Sequence, residues 1–213
     1  MVMIEHRYFD MASALALIAA LWLVGLTRVK TSVALYGAQS LILGVLTIAL
    51  GVARGEPLLV IVGVAVASIK GLAVPAYLSF VVGKLDCRRD DGVGISAPVQ
   101  FFASLAALAL ILLMHPATGV LTERSMPAVA LLLLGMILMI TRRLAVSQII
   151  GFLELENGIF FYTIGQPHTM PIVVEIGVLM DVLSAVMLAG ILVFKINRTF
   201  EHIDVAELKE LKG

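Results

Sequence analysis

Seven apolar stretches, each about the length needed to cross a bilayer, follow one another with short polar joints: Met11 to Leu26, Ser32 to Val52, Leu58 to Val82, Ser96 to Met114, Met126 to Ile140, Val146 to Gly165 and Pro171 to Phe194. A hydrocarbon core of ~30 Å takes about 20 residues of helix to cross, and inside it every backbone amide and carbonyl needs a partner in its own segment. Few folds remain open to such a sequence. Hydrophobic residues fill 61% of the 213 positions, mean hydropathy is +1.06 and charged residues make up 14%, which excludes a soluble globular domain. The expected fold class is an all-α membrane protein of seven transmembrane helices, with the fifth short enough to run on past Arg142.

The distribution of charge sets the expected orientation. Eleven of the fifteen Lys and Arg (Arg28, Lys30, Lys84, Arg88, Arg89, Arg142, Arg143, Lys195, Arg198, Lys209 and Lys212) follow spans one, three, five and seven. Arg7, Arg54 and Arg124 lie on the other side, and Lys70 falls inside span three. The positive-inside rule then places the N-terminus outside and the C-terminus in the cytoplasm. Met1 to Asp10 lacks a small-residue cleavage pattern, so span one is expected to be retained. Formal net charge is zero, and no basic surface suggests nucleic acid.

Several chemistries are excluded by what the spans lack. One cysteine, Cys87, rules out an internal disulfide and argues against thiolate-held metal. His6, His115, His168 and His202 all fall in loops, tails or at a helix end, so no pair is placed to ligate a haem iron. There is no phosphate-binding glycine loop and no Gly-x-Ser-x-Gly elbow. A retinal protein would need a lysine in mid-span seven, where Asp181 stands instead.

Ionisable groups at bilayer depth are costly and by default mark an ion or proton path. Lys70 lies about twelve residues into its span, too deep for its stem to reach either interface, and needs a carboxylate, water or carbonyls freed at Pro75. Span six carries Glu154, Glu156 and Asn157 near mid-membrane. At about 100° per residue the two glutamates point to nearly opposite sides, so one is expected to face inward and the other a neighbouring protein. Asn157 and Gly158 suit a close, hydrogen-bonded helix contact. On span seven, Asp181 is central and Glu175 sits one turn from Pro171, at the external rim. A carboxyl whose surroundings alternate between apolar and cationic takes up and releases a proton near physiological pH, the minimum chemistry of a relay.

Arg28, Gly37, Gly44 and Lys70 are spaced much like Arg143, Gly151, Gly158 and Asp181. A parallel repeat of helices 1–3 and 5–7 is topologically permitted, dividing the single membrane domain into a three-helix unit (1–95), a linking helix (96–125), a second three-helix unit (126–198) and a short amphipathic cytoplasmic tail (199–213). In the tail, Phe200, Ile203, Leu208 and Leu211 share a helical face, with Asp204 and Glu207 spaced as a capping box. Leu85 to Gly94 reads as an exposed cytoplasmic loop.

The run Gln148 to Phe160 with Glu156-Asn157-Gly158, the run Val174 to Asp181, Lys70 followed by Val74-Pro75, and the ending Ile203-Asp204-Val205 to Leu211-Lys212-Gly213 resemble the hydrogenase-4 component E family over essentially the whole chain. The last three spans are similar to the K subunit of respiratory complex I, which carries a membrane-embedded carboxylate in each of its last two helices. Here the acidic residue of span six is displaced by a few positions, leaving open whether Glu154 or Glu156 takes that role. The resemblance implies a multi-pass subunit of the cytoplasmic membrane of a prokaryote, in the membrane arm of an energy-converting nickel-iron hydrogenase of the hydrogenase-4 or formate hydrogenlyase type. It implies no cofactor in this chain, with the nickel-iron centre and iron-sulfur clusters on partner subunits. The implied neighbours are antiporter-like subunits and the hydrogenase-anchoring membrane subunit, with Glu156, Asp181, Lys70, Glu154 and Glu175 as relay candidates. A stand-alone small transporter and a purely structural scaffold are the competing readings.

Overall fold

A computed structural model describes residues 2–85, 89–92, 96–118, 124–166, 184, 186–187 and 189–190. The helices are α1 (Val2–Gly25), α2 (Val29–Arg54), α3 (Pro57–Ser68), a π turn (Ile69–Ala73) that runs directly into α4 (Val74–Leu85), α5 (Ala97–Thr118), α6 (Met126–Thr141) and α7 (Ala145–Gly165). No strand occurs among the described residues. Span three of the sequence is thus α3, the π turn and α4 in continuity, and span six is α7. Three helical stretches, Arg7–Gly25, Val29–Arg54 and Pro57–Lys84, are long and apolar enough to cross a membrane, and Ala97–Leu113 and Met126–Thr141 are shorter apolar helices. Asp181, Glu175 and the amphipathic tail lie outside the described residues.

The α2–α3 connection shows how the sequence turns the chain. Gly55 adopts the left-handed conformation (φ 69°) at the end of α2, the Gly55 and Glu56 amides donate back to Val52 O and Gly51 O, and Pro57 opens α3. Glycine after a helix and proline at the first position of the next is the expected arrangement. The two helices then lie very close. A Cβ on Gly44 would sit 2.8 Å from the Ala67 amide nitrogen, and one on Gly51 2.8 Å from that of Val60. α6 and α7 pair in the same way, with Gly135 against the Leu155 backbone and Gly151 against that of Met139. Close backbone approach through small residues is the principal source of helix association where lipid removes the hydrophobic incentive.

These pairs are joined by α1, which touches α2, α5 and α6, and by a contact between α2 and α7. Leu23, Val33, Tyr36, Leu43, Leu78, Leu134, Leu153 and Phe161 belong to the shared core. Large apolar side chains also cover the outside: Leu15, Ile18 and Trp22 form an exposed stripe on α1, and Phe102, Leu105, Leu112 and Leu113 are exposed on α5. Polar groups are instead drawn inward, Lys70, Gln39, Glu154, Glu156 and Asn157 all being buried. Apolar outside and polar within suits a hydrocarbon solvent.

Two ends can be distinguished. At one, Arg28 bridges to Arg89, the Arg142 guanidinium donates to Val24 O (2.6 Å) and Asp90 O (3.1 Å), and the Asp90 amide donates to Thr27 O (2.8 Å). At the opposite end Arg54 donates to Ile164 O and Gln166 O, Arg124 to Gly165 O, and the Phe9 ring packs on Phe161. These guanidinium groups satisfy carbonyls that helix termini leave without partners.

The first end corrects two expectations. α6 does not continue past Arg142, which is extended (φ −93°, ψ 144°) because its side chain turns back onto the end of α1. Nor is the stretch around Asp90 a plain exposed loop. Asp90 is buried; its carboxylate accepts from the amides of Gly92, Arg143 and Leu144, tying the loop to the start of α7. Burial pushes the Asp90 carboxyl up, but hydrogen bonds from Leu144 N–H, the Ser147 side chain, Gly92 N–H and Arg143 N–H together outweigh it and hold it below its ordinary 3.8.

Two outcomes are expected from thermal unfolding in detergent. Gly44→Ala should lower the midpoint, its Cβ colliding with backbone at a cost of about 1–3 kcal/mol, whereas Gly83→Ala, with no atom within 4 Å, should hold or raise it. Because the folded Asp90 carboxyl is the stronger acid, its contribution is present above the unfolded value and lost as pH falls through the folded one. The wild type should therefore lose stability below about pH 4 more steeply than Asp90→Asn, which lacks the titrating group.

Candidate functional site

The buried polar groups of mid-bundle meet where α2, the π turn and α7 converge. Lys70 Nζ lies 3.2 Å from Glu156 Oε1, with the two side chains 3% and 2% exposed. Gln39 Nε2 donates to Glu154 Oε1 at 2.7 Å, and Asn157 Nδ2 donates to Ser40 Oγ at 3.2 Å. The Lys70 ammonium also acts electrostatically on Glu154. Two carboxylates, two carboxamides, a hydroxyl and an ammonium thus form one internal seam.

Each member is placed by a local feature of its helix. Glu154 and Asn157 are three residues apart on α7 and so lie on one face, opposite the adjacent Gln39 and Ser40 of α2. Lys70 stands in the π turn Ile69–Ala73, where the wider winding sets its direction. Pro75, four residues beyond Gly71, has no N–H to give the Gly71 carbonyl, and both Pro75 and Gly71 O press against Gly37 of α2. A Cβ on Gly37 would be 2.8 Å from Pro75 Cγ. The absence of a side chain at Gly37 therefore lets the π turn, and Lys70 with it, approach α2.

Lys70, Glu154, Glu156 and Asn157 are brought together within the chain. The expectation that one glutamate faces a neighbouring protein fails: Glu154 is fully buried and Glu156 nearly so. The angular argument overlooked that α7 is covered on several flanks, by α6 along Gly151 and Gly158, by α2, and by Lys70 on the flank of Glu156. Gly158 serves the α6 contact, 2.8 Å from the Leu132 amide nitrogen to an added Cβ, while Asn157 serves the α2 contact. Gln39 and Ser40 do not stand out in the sequence, because span two carries no charged residue beside them to draw attention to its polar side chains. A carboxamide in mid-span two is the same signal that singled out Asn157.

Chemically, the seam can hold a proton in more than one place. Glu154 Oε2, Gln39 Oε1 and Asn157 Oδ1 are buried acceptors without a hydrogen-bond partner among the described residues. A carboxamide has a donor and an acceptor at one end of its side chain. Gln39 therefore donates to an ionised Glu154 through Nε2 and, after a flip, accepts from a protonated Glu154 through Oε1. No group of three His, Cys, Asp or Glu able to hold a metal occurs among the described residues.

Comparisons with known proteins place this geometry in context. The chain is 29% identical over 213 residues, covering 95% of both proteins, to "Uncharacterized protein Rv0085" of Mycobacterium tuberculosis. It is 25% identical over 206 residues, 94% of this chain and 95% of the relative, to Hydrogenase-4 component E of Escherichia coli and, to the same extent, of Shigella flexneri. No family model matches the chain, and no solved structure matches it. Similarity that runs nearly end to end supports a distant family relationship with Hydrogenase-4 component E.

Proposed function

We propose that this chain is a membrane subunit of an energy-converting, hydrogenase-4-type complex, relaying protons or charge across its buried seam. The carrying observation is the Lys70–Glu156 ion pair beside the Gln39–Glu154 hydrogen bond, inside an otherwise apolar bundle. Its similarity to Hydrogenase-4 component E and its apolar helices support membership of a multi-subunit membrane complex. The redox centres and the remaining ion-conducting parts belong, on this reading, to partner subunits of the antiporter-like and hydrogenase-anchoring kinds. The end that carries Arg28, Arg89 and Arg142 faces the cytoplasm, and the membrane is the inner one. Asp181, on span seven, extends the relay by analogy with the membrane carboxylates of the complex I K subunit, and Glu175 stands at the external rim of the same span.

The relay chemistry follows from the pair. With Glu156 ionised, Lys70 neutralises it; a proton or charge arriving from a neighbouring subunit alters that balance and frees Lys70 to act on Glu154. The buried amide of Gln39 then accommodates either state of Glu154. A scaffold would gain no net stability from such a pair, because well-packed apolar residues of similar volume do as well or better. Substrate sites of small transporters commonly sit at broken helices, whereas here the π turn Ile69–Ala73 runs directly into α4.

In the intact complex, Glu156→Gln and Asp181→Asn should assemble and keep dye-linked hydrogenase activity while coupled ion transport in vesicles is lost; unchanged transport would leave the scaffold reading standing. Stability supplies a second check. Lys70→Met or Glu156→Gln alone leaves a buried polar group without its counterpart and should cost about 3–5 kcal/mol at most, while the double variant should recover much of the loss in a melting cycle.

A further inference from the structure

Three oxygens of the seam are left over when its hydrogen bonds are drawn. Glu154 Oε2, Gln39 Oε1 and Asn157 Oδ1 are buried and have no hydrogen-bond partner among the described residues. Each belongs to a group whose other polar atom is already fixed: Gln39 Nε2 donates to Glu154 Oε1 at 2.7 Å, and Asn157 Nδ2 donates to Ser40 Oγ at 3.2 Å. Gln39 and Ser40 are consecutive on α2, and Glu154 and Asn157 are one turn apart on α7, so the three oxygens belong to one patch of the α2–α7 contact. Buried acceptors without donors are rare in folded proteins, and each points to an ion, a proton or a water.

The charges point the same way. Among the described residues, the buried ionisable groups of mid-bundle are Lys70, Glu154 and Glu156. Lys70 also acts electrostatically on Glu154, but it stands 3.2 Å from Glu156, and one ammonium offsets one carboxylate. The hydrogen-bond partner of Glu154 is a neutral carboxamide, so the seam is short of one positive charge. A net charge at that depth is costly, and a single monovalent cation removes it. One water does not suffice, having two hydrogens for three acceptors and no charge. A proton on Glu154 supplies the charge and one hydrogen bond, and leaves Asn157 Oδ1 without a donor.

The ligand set narrows the choice of ion. A carboxylate, two carboxamides and a hydroxyl offer oxygen alone, which hard cations take. A divalent ion would overshoot the charge of one carboxylate, and softer metals take the His and Cys ligands that no group of the described residues assembles.

We propose that Glu154, Gln39, Asn157 and Ser40 form a binding site for one sodium ion, held between α2 and α7 beside the Lys70–Glu156 pair. This rests on the relay reading given above and names the ion at its second carboxylate. Glu154 Oε2, Gln39 Oε1 and Asn157 Oδ1 are the ligands, with the remaining lone pair of Ser40 Oγ as a fourth. Protons compete for the same carboxylate, because protonation of Glu154 removes the charge that holds the ion. Lys70 competes as well: released from Glu156 and turned toward Glu154, it expels sodium by like-charge repulsion, which couples the site to the pair.

The test reads sodium binding to the intact complex in detergent, by equilibrium dialysis with radioactive sodium in choline buffer at mildly alkaline pH. The wild type should bind one ion per complex more than Glu154→Gln and should lose it as pH falls. Sodium should also raise the melting midpoint of the wild type above its value in choline, and not that of Glu154→Gln. Asn157→Ala should weaken binding several-fold, whereas Asn157→Asp, which keeps an oxygen in place, should retain it; a packing role would not separate the two. Equal sodium binding by the wild type and Glu154→Gln overturns the site, as does binding that holds as pH falls. If Glu156→Gln stops coupled transport while the wild type and Glu154→Gln bind sodium alike, the relay stands with protons and the sodium site falls. If Glu154→Gln loses the ion while Glu156→Gln transports normally, the site stands and the relay falls.

Discussion

An ammonium and a carboxylate 3.2 Å apart, nearly sealed from solvent, impose the strictest condition on this bundle. Each alone at that depth costs several kcal/mol, and only close pairing with further hydrogen bonds brings the sum near zero. The helices carrying them must therefore be held in fixed relation. α7 carries Glu156, the π turn carries Lys70, and α2 lies against both with Gln39 and Ser40. Loss of that relation would leave a charge facing hydrocarbon, so the polar seam specifies the arrangement of α2, the π turn and α7 more sharply than the leucines around it.

Glycine makes the approach possible. Gly37, Gly44 and Gly51 recur at intervals of seven along α2, and Gly151, Gly158 and Gly165 do so along α7, each stripe removing side chains from a helix contact. The stripes do not meet equivalent neighbours. That of α2 faces the helix that follows it, α3 with its π turn and Pro75, while Gly151 and Gly158 face the helix that precedes α7. Similar spacing thus serves two different pairings, and Asp181, whose equivalence with Lys70 the repeat would require, lies outside the described residues.

The positions of the helices were legible because a bilayer demands a minimum apolar length, and α2, α6 and α7 begin and end within a few residues of the stretches read from the sequence. α1 starts earlier, at Val2, because charged residues before an apolar span do not prevent helix from continuing into water. Lys70, Glu154, Glu156 and Asn157 stood out by polarity at depth. Their partners did not. The choice of carboxylate over freed carbonyls for Lys70 depends on the path of α7, eighty-odd residues away in sequence, and the burial of both glutamates depends on how many neighbours α7 has. Asp90 was missed for a related reason: its worth comes from three amides that the fold alone brings to it.

The π turn at Ile69–Ala73 also sets the phase of span three. Upstream, Leu59, Gly63, Val66 and Lys70 are buried at intervals of four, three and four; downstream, Leu78, Val81 and Val82 are buried in turn. An unbroken α-helix would carry Leu78 some 80° away from Lys70, whereas one wide turn absorbs an additional residue and brings the two stripes back into line. The turn is a vernier: it lets one helix keep its lysine aimed at Glu156 and its far half seated in the core, two demands that regular winding would set against each other.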